Sequence, residues 1–437
     1  MVGPMASVGI RELAERCWNG GVDLVFEHHP VAPEGGREAE ELADGLLYLK
    51  SIGSITTIDT GDGLVMLDTG GELDTDLVHG QVRRWRAAPL RAAVFSHHHV
   101  DHVFGVARFD QEAREQGTAR PVVYAHEDVP AHFARYVRTQ GWNTAINIRQ
   151  FGLQGTRFRW PGEYRDPDVT YRDGVSFHLG GLGFELHHAR GETDDATWTW
   201  VPDLRLLHPG DLFIWAVPNA GNPQKVQRYL SDWALALRQM ATLGAETMIP
   251  GHGLPIFGAE RIRAALVDTA DVLDAVEDQT LALMNRGQTL DRILHEVEIP
   301  LHLRDRPYLR PVYDHPQFLV RNVWRRYGGW YDGEPDNLLP APRARQAAAW
   351  VELAGGLAPV LERARQLSAG DDGEQALACH LVEFAVLAQP ASAEAHEVRQ
   401  AVYEARASTQ ESSMARNILR HAARSSAEGR RDLISGE

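Results

Sequence analysis

A dense group of potential metal-binding side chains near residue 100 constrains this chain more than any other feature. Residues 96–102 read SHHHVDH, which gives the pattern His-x-His-x-Asp-His. The largely apolar residues 91–95 before it predict a short buried strand, and the end of a strand is where an α/β protein places its chemistry. A purification tag or a solvated His-rich turn would not carry an Asp in register behind a buried strand. The segment therefore predicts a metal site.

The spacing of these ligands can accommodate two ions. His97 and His99 would bind one ion, and Asp101 and His102 would bind the other. Imidazole suits zinc, copper, iron and nickel, and a carboxylate among imidazoles favours a hydrolytic or oxygen-handling metal. His98 occupies an intervening position of the pattern, and we interpret it as a bystander.

Composition narrows the class of protein and its partners. The chain has 437 residues, of which 43% are hydrophobic, enough for a large core and two domains. Its formal net charge of -16 argues against a nucleic-acid partner, which requires a basic face. The cysteines, Cys17 and Cys379, predict neither a disulfide framework nor a Cys-type zinc site. With no signal-peptide pattern and no long apolar run, we expect a cytoplasmic protein without a membrane partner.

Changes in residue composition and in hydrophobic periodicity predict four segments. Residues 1–44 form a polar N-terminal arm, and residues 45–258 alternate short apolar strands with helices. Residues 259–425 have the pattern of amphipathic, Ala-rich helices, and residues 426–437 that of a tail. Within the second segment, the aromatic and Arg-rich residues 127–170 are either a lid or substrate wall, or a surface subdomain packed on itself.

Further candidate site residues follow predicted strands elsewhere in the second segment: Asp68, Glu192, Asp211 and His252. Loops that follow strands can meet on one rim of a sandwich of two sheets. We therefore expect these residues to join the group at 97–102. Asp68 is expected to position the histidine segment from behind the ligands, to cap its own turn, or both.

This constellation resembles the metallo-β-lactamase fold superfamily over about residues 45–258, and the resemblance implies an α/β fold, the αββα sandwich. Most hydrolases of that superfamily have a His at the third ligand position, within a His-x-x-Gly-His-Thr context. The matching residues 188–193 read HARGET, with Glu192 in place of that His. A Glu at this position resembles the alkyl sulfatase branch, and this resemblance implies a dinuclear metal centre.

The ligands that the resemblance implies fall into three sets: His97, His99 and Glu192 for one ion; Asp101, His102 and His252 for the other; and Asp211 as a bridge, where the sulfatases often have Glu. Two Zn²⁺ ions are expected as cofactors. Iron or manganese is the alternative, because oxygen-rich, carboxylate-bridged pairs also suit these metals. Asp101 and Asp211 are the carboxylates expected to act in catalysis, as ligands that hold and orient a metal-activated water.

The C-terminal region resembles the same branch. Residues 320–335, VRNVWRRYGGWYDGEP, resemble a sulfatase tract of Tyr, Gly-Trp and Asp-Gly-x-Pro. Residues 379–402 and 413–419 resemble the helical dimerisation domain of the sulfatases, so we expect a homodimer. The sequence ends before a counterpart of the sterol-carrier-like domain of long alkyl sulfatases, which we expect this protein to lack. Apolar stripes in the helices predict either internal core or a dimer seam: Leu353, Leu357, Val360 and Leu361.

One departure from the sulfatases concerns the anionic group of the substrate. Sulfatases typically carry a Thr-Leu-Arg-Gly-type segment after the bridging carboxylate, whose Arg helps to hold the sulfate. The corresponding residues 216–224 read AVPNAGNPQ, and no Arg follows until Arg228. A buried sulfate requires Arg or several N–H donors. Either another Arg serves, or the substrate is not a sulfate ester. The candidate substrate contacts are Arg149, Arg190, Arg321, Asn219 and Trp215.

Several functions are consistent with these residues. We expect a dinuclear-metal hydrolase, foremost a sulfatase-like enzyme that cleaves an alkyl or aryl sulfate ester, so its partner is a small anionic substrate. A hydrolase of another ester, a lactone or a phosphoester is the first alternative. A di-iron oxidoreductase on the same fold is the second, disfavoured because no flavin or iron–sulfur segment is visible. A non-catalytic helical assembly protein would have lost ligands, and all of them are present.

Overall fold

The computed structural model describes residues 9–31 and 39–435. Residues 1–8 and 32–38 of the predicted arm, and residues 436–437 of the predicted tail, lie outside the described residues. The strands are β1 Ala39–Ala43, β2 Leu46–Lys50, β3 Ser54–Asp59, β4 Leu64–Leu67, β5 Leu90–Val94, β6 Val122–His126, β7 Val169–Tyr171, β8 Gly174–Leu179, β9 Leu182–Ala189, β10 Ala196–Val201, β11 Leu206–His208, β12 Thr247–Met248 and β13 Ile256–Phe257. The α-helices are α1 Ile10–Trp18, α2 Thr75–Trp85, α3 Val106–Gln116, α4 Val129–Arg138, α5 Gln140–Phe151, α6 Leu230–Ala241, α7 Ala259–Met284, α8 Leu290–Glu296, α9 Leu301–Arg304, α10 Pro316–Gly328, α11 Pro335–Leu338, α12 Arg343–Leu353, α13 Leu357–Ser368, α14 Asp372–Ala388, α15 Ala393–Ser408 and α16 Ser413–Ala427.

The strands form two mixed sheets. The first sheet has the order β1-β2-β3-β4-β5-β6-β7, antiparallel from β1 to β4 and parallel from β4 to β7. The second has the order β13-β12-β11-β10-β9-β8, in which only β11 and β12 pair in parallel. Every residue of β2 and β4 is buried, which explains why these strands are rich in apolar residues rather than alternating. Strand β10 is also buried throughout, although threonines alternate with tryptophans along it. The edge strand β1 lies within the predicted arm.

Helices cover the outer face of each sheet. Side chains such as Tyr48 and Phe184 pack between the two sheets. Helices α2 and α3 bury Val78 and Phe109 against the other face of the first sheet. Helices α6 and α7 pack on the second sheet, where Trp233 is fully buried. The layers are helix, sheet, sheet, helix, so the predicted αββα sandwich is confirmed.

The C-terminal region is helical, as predicted. Helices α12 to α16 form a core of their own, to which Val360 and Leu361 belong, whereas Leu353 is exposed. Helices α8 and α10 instead bury side chains in the core of the sandwich, because α10 packs on α7 and α7 packs on α6. The sandwich core therefore continues past the predicted boundary at residue 258. Within residues 9–31 and 39–435, no helix is long and apolar enough to cross a membrane.

Two helices begin later than their sequence patterns predict. The pattern predicts a helix over 103–116, but α3 begins at Val106. Gly105 packs against the Thr69 carbonyl, and a Cβ at residue 105 would lie 1.9 Å from that oxygen. The second pattern predicts a helix over 224–243, but α6 begins at Leu230. Residues 224–229 form a loop instead, and this loop contributes to the site.

Candidate metal centre

The candidate ligands lie on one rim of the sandwich because each follows a strand. The histidine segment follows β5, Glu192 follows β9, Asp211 follows β11 and His252 follows β12. Parallel pairing of β4 with β5 brings Asp68 beside the start of the histidine segment. Segments far apart in sequence thereby meet at one place.

The first group of potential ligands consists of His97, His99, Glu192 and Asp211, each with a ligand atom within 4.8 Å of the others. Glu192 Oε2 lies 3.7 Å from His97 Nε2 and 3.5 Å from His99 Nδ1. Asp211 Oδ2 lies 3.8 Å from His97 Nε2. Two imidazoles and two carboxylates therefore converge on one point.

The second group consists of Asp101, His102 and His252. Asp101 Oδ2 lies 3.4 Å from His252 Nε2 and 3.8 Å from His102 Nε2. Asp211 reaches this group as well, with Oδ1 3.5 Å from His102 Nε2 and Oδ2 3.2 Å from His252 Nε2. Asp211 thus lies between the two groups, where a bridging ligand would be.

These separations fit the coordination of metal ions. Two ligand atoms about 2.1 Å from a tetrahedral ion lie about 3.4 Å apart. Several of the facing atoms are buried and have no hydrogen-bond partner within the described part of the chain: His97 Nε2, His102 Nε2, Glu192 Oε2 and Asp211 Oδ1. Buried polar atoms normally have partners. A pair of divalent cations would supply them, so the donor set fits the expected ions.

Hydrogen bonds hold the far side of the imidazoles. His102 Nδ1 lies 2.7 Å from Asp68 Oδ2, and His252 Nδ1 lies 2.6 Å from the Ile52 carbonyl oxygen. Partners of this kind fix the tautomer and aim the opposite nitrogen at a metal. They explain why both Nε2 atoms point into the centre.

Asp68 is buried beneath the histidine segment. Its carboxylate accepts hydrogen bonds from Ser96 N at 2.7 Å and Ser96 Oγ at 2.8 Å, and it also contacts His102 and His208. Burial alone would raise the pKa of Asp68, but His102 and His208 hold it well below its usual range. Its φ of 55° is rare for a residue with a side chain. These contacts support the predicted role of Asp68 in positioning the histidine segment.

Glu192 and Asp211 have opposite pKa shifts. Burial, and then the negative charge of Asp211, raise the pKa of Glu192 well above its ordinary value. Burial alone would also raise the pKa of Asp211, but His252 and His102 lower it well below its ordinary value. The neighbouring histidines stabilise the charge of Asp211, whereas the charge of Glu192 beside it is disfavoured, so a cation would be needed to stabilise both carboxylates as anions.

A cavity of about 330 Å³ opens onto both ligand groups. Helices α4 and α5 and the loop after them contribute much of its apolar wall, including Tyr136, Phe151, Phe158 and Trp160. The aromatic insertion at residues 127–170 therefore lines the site, which favours the substrate-wall interpretation over a separate subdomain.

Two cationic side chains line the same cavity: Lys225, which is partly buried, and Arg228, which is buried. Arg228 Nη2 lies 3.5 Å from Glu192 Oε1. Lys225 Nζ lies 3.2 Å from Asn147 Oδ1 and 5.0 Å from the centre of the Trp160 ring. Burial, and then the charge of Arg228, lower the pKa of Lys225 to about 7. We expected an Arg in this segment and overlooked Lys225. A Lys in this segment is the sequence feature that could have indicated a cationic side chain in the cavity.

Among the predicted substrate contacts, Asn219 lines the cavity and its side-chain amide donates to Glu192. Arg149 differs from the prediction, because it lies on the face of α5 that meets the helical region and pairs with Asp432 at 2.5 Å. Asn147 and Gln150 occupy the cavity face of that helix.

Three further predicted contacts also lie outside the cavity lining. Arg190 is half exposed and pairs with Asp232 at 2.9 Å. Arg321 is exposed on α10. Trp215 is buried in the core, where its ring nitrogen donates to the Leu254 carbonyl oxygen at 2.7 Å. Their sequence positions did not reveal which way each side chain points.

Two family matches cover successive parts of the chain, and helices α8 and α10, which pack on the sandwich core, fall within the second match. Residues 50–252 match the metallo-beta-lactamase superfamily, and residues 289–429 match the alkyl sulfatase dimerisation family. This chain joins a metallo-β-lactamase domain to an alkyl sulfatase dimerisation domain. The predicted resemblance to the sulfatase branch is thereby confirmed.

Individual relatives of this metallo-β-lactamase-fold protein are alkylsulfatases. A linear primary-alkylsulfatase from Pseudomonas sp. is 28% identical over 334 residues, covering 72% of this chain and 62% of that protein. An (R)-specific secondary-alkylsulfatase from Pseudomonas sp. is 27% identical over 409 residues, covering 84% and 58%. The structure of a stereoselective inverting sec-alkylsulfatase from Pseudomonas sp. matches with a TM-score of 0.80 at 25% identity, covering 90% of this chain and 66% of that chain. The chain spans about three fifths of the length of these curated relatives.

Proposed function

We propose that this protein is a metal-dependent hydrolase that cleaves sulfate esters of alkyl or aryl alcohols. The observation that carries the proposal is the position of Lys225 and Arg228, two cationic side chains in the cavity that opens onto both ligand groups. An anion in this cavity would meet positive charge on the protein side as well as on the metal side. The alkylsulfatase relatives support the same class of reaction.

The proposed centre would hold two Zn²⁺ ions, through the ligands predicted from sequence: His97, His99 and Glu192; Asp101, His102 and His252; and Asp211. Bound zinc lowers the pKa of a coordinated water to about 7 and so supplies hydroxide at neutral pH. Iron or manganese suits the oxygen-rich donors as well. Metal analysis of the purified protein distinguishes these ions.

The cavity side chains have separate roles toward the ester. Lys225 and Arg228 bind the sulfate oxygens through charge-assisted hydrogen bonds. Gln150 Nε2 donates to Tyr313 Oη at 2.8 Å, which leaves the Tyr313 hydroxyl proton free to face the cavity. Burial raises the pKa of Tyr313 well above its ordinary value, so the hydroxyl stays a neutral donor, suited to the leaving oxygen. The aromatic wall excludes water and receives the organic part. Water hydrolyses the ester, giving the alcohol and hydrogensulfate.

Sulfate release is the experiment that tests this proposal. Zinc-loaded protein is offered primary, secondary and aryl sulfate esters, and free sulfate is measured against a Glu192→Ala variant. We expect release that the variant loses and that a matched Arg190→Ala variant keeps, because Arg190 lies outside the cavity. No release from any ester, with two metals bound, would contradict the proposal and favour lactones, phosphoesters or thioesters as substrates.

The bond that breaks can be identified in ¹⁸O-labelled water. The structural relative is described as inverting, and inversion at an alcohol carbon requires attack at that carbon. We propose the same course here, so the label should appear in the alcohol. A label in the sulfate would show attack at sulfur instead.

We also propose a homodimer, built on the region that matches the alkyl sulfatase dimerisation family. Large apolar side chains are exposed on two packed helices of that region, with Trp350 and Leu353 on α12 and Leu377 on α14. Contiguous exposed apolar surface is a common mark of a protein interface.

A further inference from the structure

His98 is part of the histidine segment but belongs to neither ligand group at the metal centre. It is 1% exposed. Its Nδ1 lies 2.9 and 2.8 Å from the two carboxylate oxygens of Asp195, and its backbone N–H donates to Asp195 Oδ2 at 3.2 Å. Its Nε2 lies 3.1 Å from Arg135 Nη2. His98 is therefore not the bystander that the sequence pattern predicts.

Asp195 and Arg135 together determine which nitrogen of the His98 ring carries the proton. A carboxylate only accepts hydrogen bonds and a guanidinium only donates them. Nδ1 of His98 therefore carries the proton and donates to Asp195, while Nε2 accepts from Arg135. The neutral ring is satisfied at both ends, in one tautomer.

The contacts of His98 join three segments around the metal centre. His98 lies between His97 and His99, and Asp195 lies on the same loop as Glu192. Arg135 is on α4, next to Tyr136, which lines the cavity. The chain of contacts thus connects two of the three segments that supply the first ligand group, the histidine segment and the Glu192 loop, to the cavity wall.

Other contacts run along the same face of α4. His132, one turn before Arg135, has Nε2 2.8 Å from Asp194 Oδ1. The His98 ring lies 4.4 Å from the His132 ring and 5.1 Å from the Tyr136 ring, between centres. Helix α4 therefore presents residues 132, 135 and 136 to the histidine segment and to the loop that carries Glu192.

We propose that Arg135, His98 and Asp195 form a positioning latch, which holds α4 and its part of the cavity wall against the metal centre. His98, His132 and Asp195 are also close enough together to hold an ion. The guanidinium of Arg135 opposes a cation there, and Asp195 already accepts the His98 proton. The role of the latch in substrate binding rests on the proposed function, whereas its effect on α4 does not.

Two substitutions break the central contact of the latch from opposite sides. His98→Asn keeps an N–H donor near the Nδ1 position for Asp195 but has no counterpart of Nε2. Arg135→Met removes the donor and keeps an unbranched side chain. Because both remove the same hydrogen bond, the double variant should behave like either single variant. Arg135→Lys retains a cationic donor and serves as the conservative control.

Hydrogen exchange on the metal-loaded protein is the first measurement. A hydrogen bond to a charged group is lost, so we expect the amides of α4 to exchange about tenfold faster in both single variants and in the double variant. The amides of α3 should be unchanged, and Arg135→Lys should stay close to wild type. For a sulfate ester that the wild type hydrolyses, KM should rise about tenfold with kcat within about twofold. Bound metal should remain at the wild-type number.

Three results would overturn the latch. The first is α4 exchange and KM at wild-type levels in both single variants, with only thermal stability lowered. The second is a double variant whose effect is the product of the two single effects, since the residues would then act separately. The third is an additional metal ion in the wild type that His98→Asn releases, which would make the cluster an ion site. If no ester is hydrolysed, the sulfatase proposal fails while the exchange experiment still tests the latch.

Discussion

Two polar clusters in this molecule, the buried metal centre and a largely buried group in the helical region, differ in whether their polar atoms have hydrogen-bond partners. At the metal centre, His97 Nε2, Glu192 Oε2 and Asp211 Oδ1 are buried without hydrogen-bond partners within the described residues. In the helical region, Glu383 accepts hydrogen bonds from Arg399 Nε at 2.7 Å and, with the same oxygen, from Tyr403 Oη at 2.9 Å. Its other oxygen accepts from Arg431 Nε at 3.1 Å.

The difference lies in the kinds of atom that face each other. Metal ligands are all electron-pair donors, so a group of them remains unsatisfied until a cation arrives. The helical cluster pairs a carboxylate with guanidinium and phenol donors, and it is complete within the protein. Burial and charge alone therefore do not mark a functional site, whereas a convergence of acceptors does.

The largest expected effect comes from removing the carboxylate shared by both ligand groups. Asp211→Asn keeps the shape of the side chain but removes the charge between the two ligand groups. Changes to outer partners of metal ligands cost about 10- to 100-fold, so loss of this ligand should lower sulfate release about 1000-fold or more, together with bound metal. Metal analysis and sulfate release measure both quantities. Full metal content and activity would show that Asp211 is no ligand.

The matched change in the helical region should act on stability instead. Glu383→Gln removes one charge of a largely buried group, which costs about 3 kcal/mol in the free energy of unfolding. Denaturant unfolding measures this loss, and metal content should be unchanged. Metal loss in this variant would erase the distinction between the two clusters.

The pH dependence of stability sharpens the same test. Burial alone would raise the pKa of Glu383, but Arg399, Tyr403 and Arg431 hold it below its ordinary value. The folded state therefore binds this proton less readily than the unfolded chain does. The stabilisation is fully present above the unfolded pKa of about 4.3 and is lost as the pH falls through the folded value. Glu383→Gln should show a weaker acid dependence than wild type.

Much of the sandwich and of the clustering of candidate ligands could be predicted because those signals are local. The histidine segment, the strand before it and Glu192 within HARGET are short patterns whose chemistry depends on residue type. The side chains around them could not be placed in this way. Arg149 and Asn147 are two residues apart on α5, yet one meets Asp432 and the other meets Lys225.

The contacts of His98 could not be predicted, because they also depend on side chains that are distant in sequence. The pattern His-x-His-x-Asp-His assigns no function to its second position, and neither Arg135 nor Asp195 is near it in sequence. The position of Lys225 could not be predicted because the sequence pattern places this residue at the start of a helix. In the structure it lies in a loop, and α6 begins at Leu230. Packing between segments that are distant in sequence determines where these side chains lie, and a single sequence does not reveal that packing.

Lys225 tests the positive side of the metal-centre cavity, with a smaller expected effect. Lys225→Met removes a charged donor to the substrate anion, which should lower kcat/KM for a sulfate ester about 10- to 100-fold. The ammonium has a pKa of about 7 in the cavity, so kcat/KM of the wild type should fall as the pH rises through about 7.

A conservative variant isolates this effect from other titrations. Lys225→Arg remains charged at all these pH values, so the ratio of wild type to variant should fall above about pH 7. A ratio that does not change with pH would show that Lys225 does not bind the anion as an ammonium ion.

The smallest effect on catalysis is expected from the outer surface of the helical region. The polar atoms of the Glu383 cluster already have partners within the protein. The surface of this region that is free to contact another molecule includes apolar side chains, such as Leu353, which is 78% exposed. Leu353→Arg should give a monomer in sedimentation, because a charge buried in an interface without a partner is costly, while sulfate release per chain stays within about twofold. Leu235→Arg is the matched control, since Leu235 is similarly exposed but lies on α6 of the sandwich. A dimer that survives Leu353→Arg would place the interface elsewhere, and a monomer with no activity would mean that the metal centre depends on the partner copy.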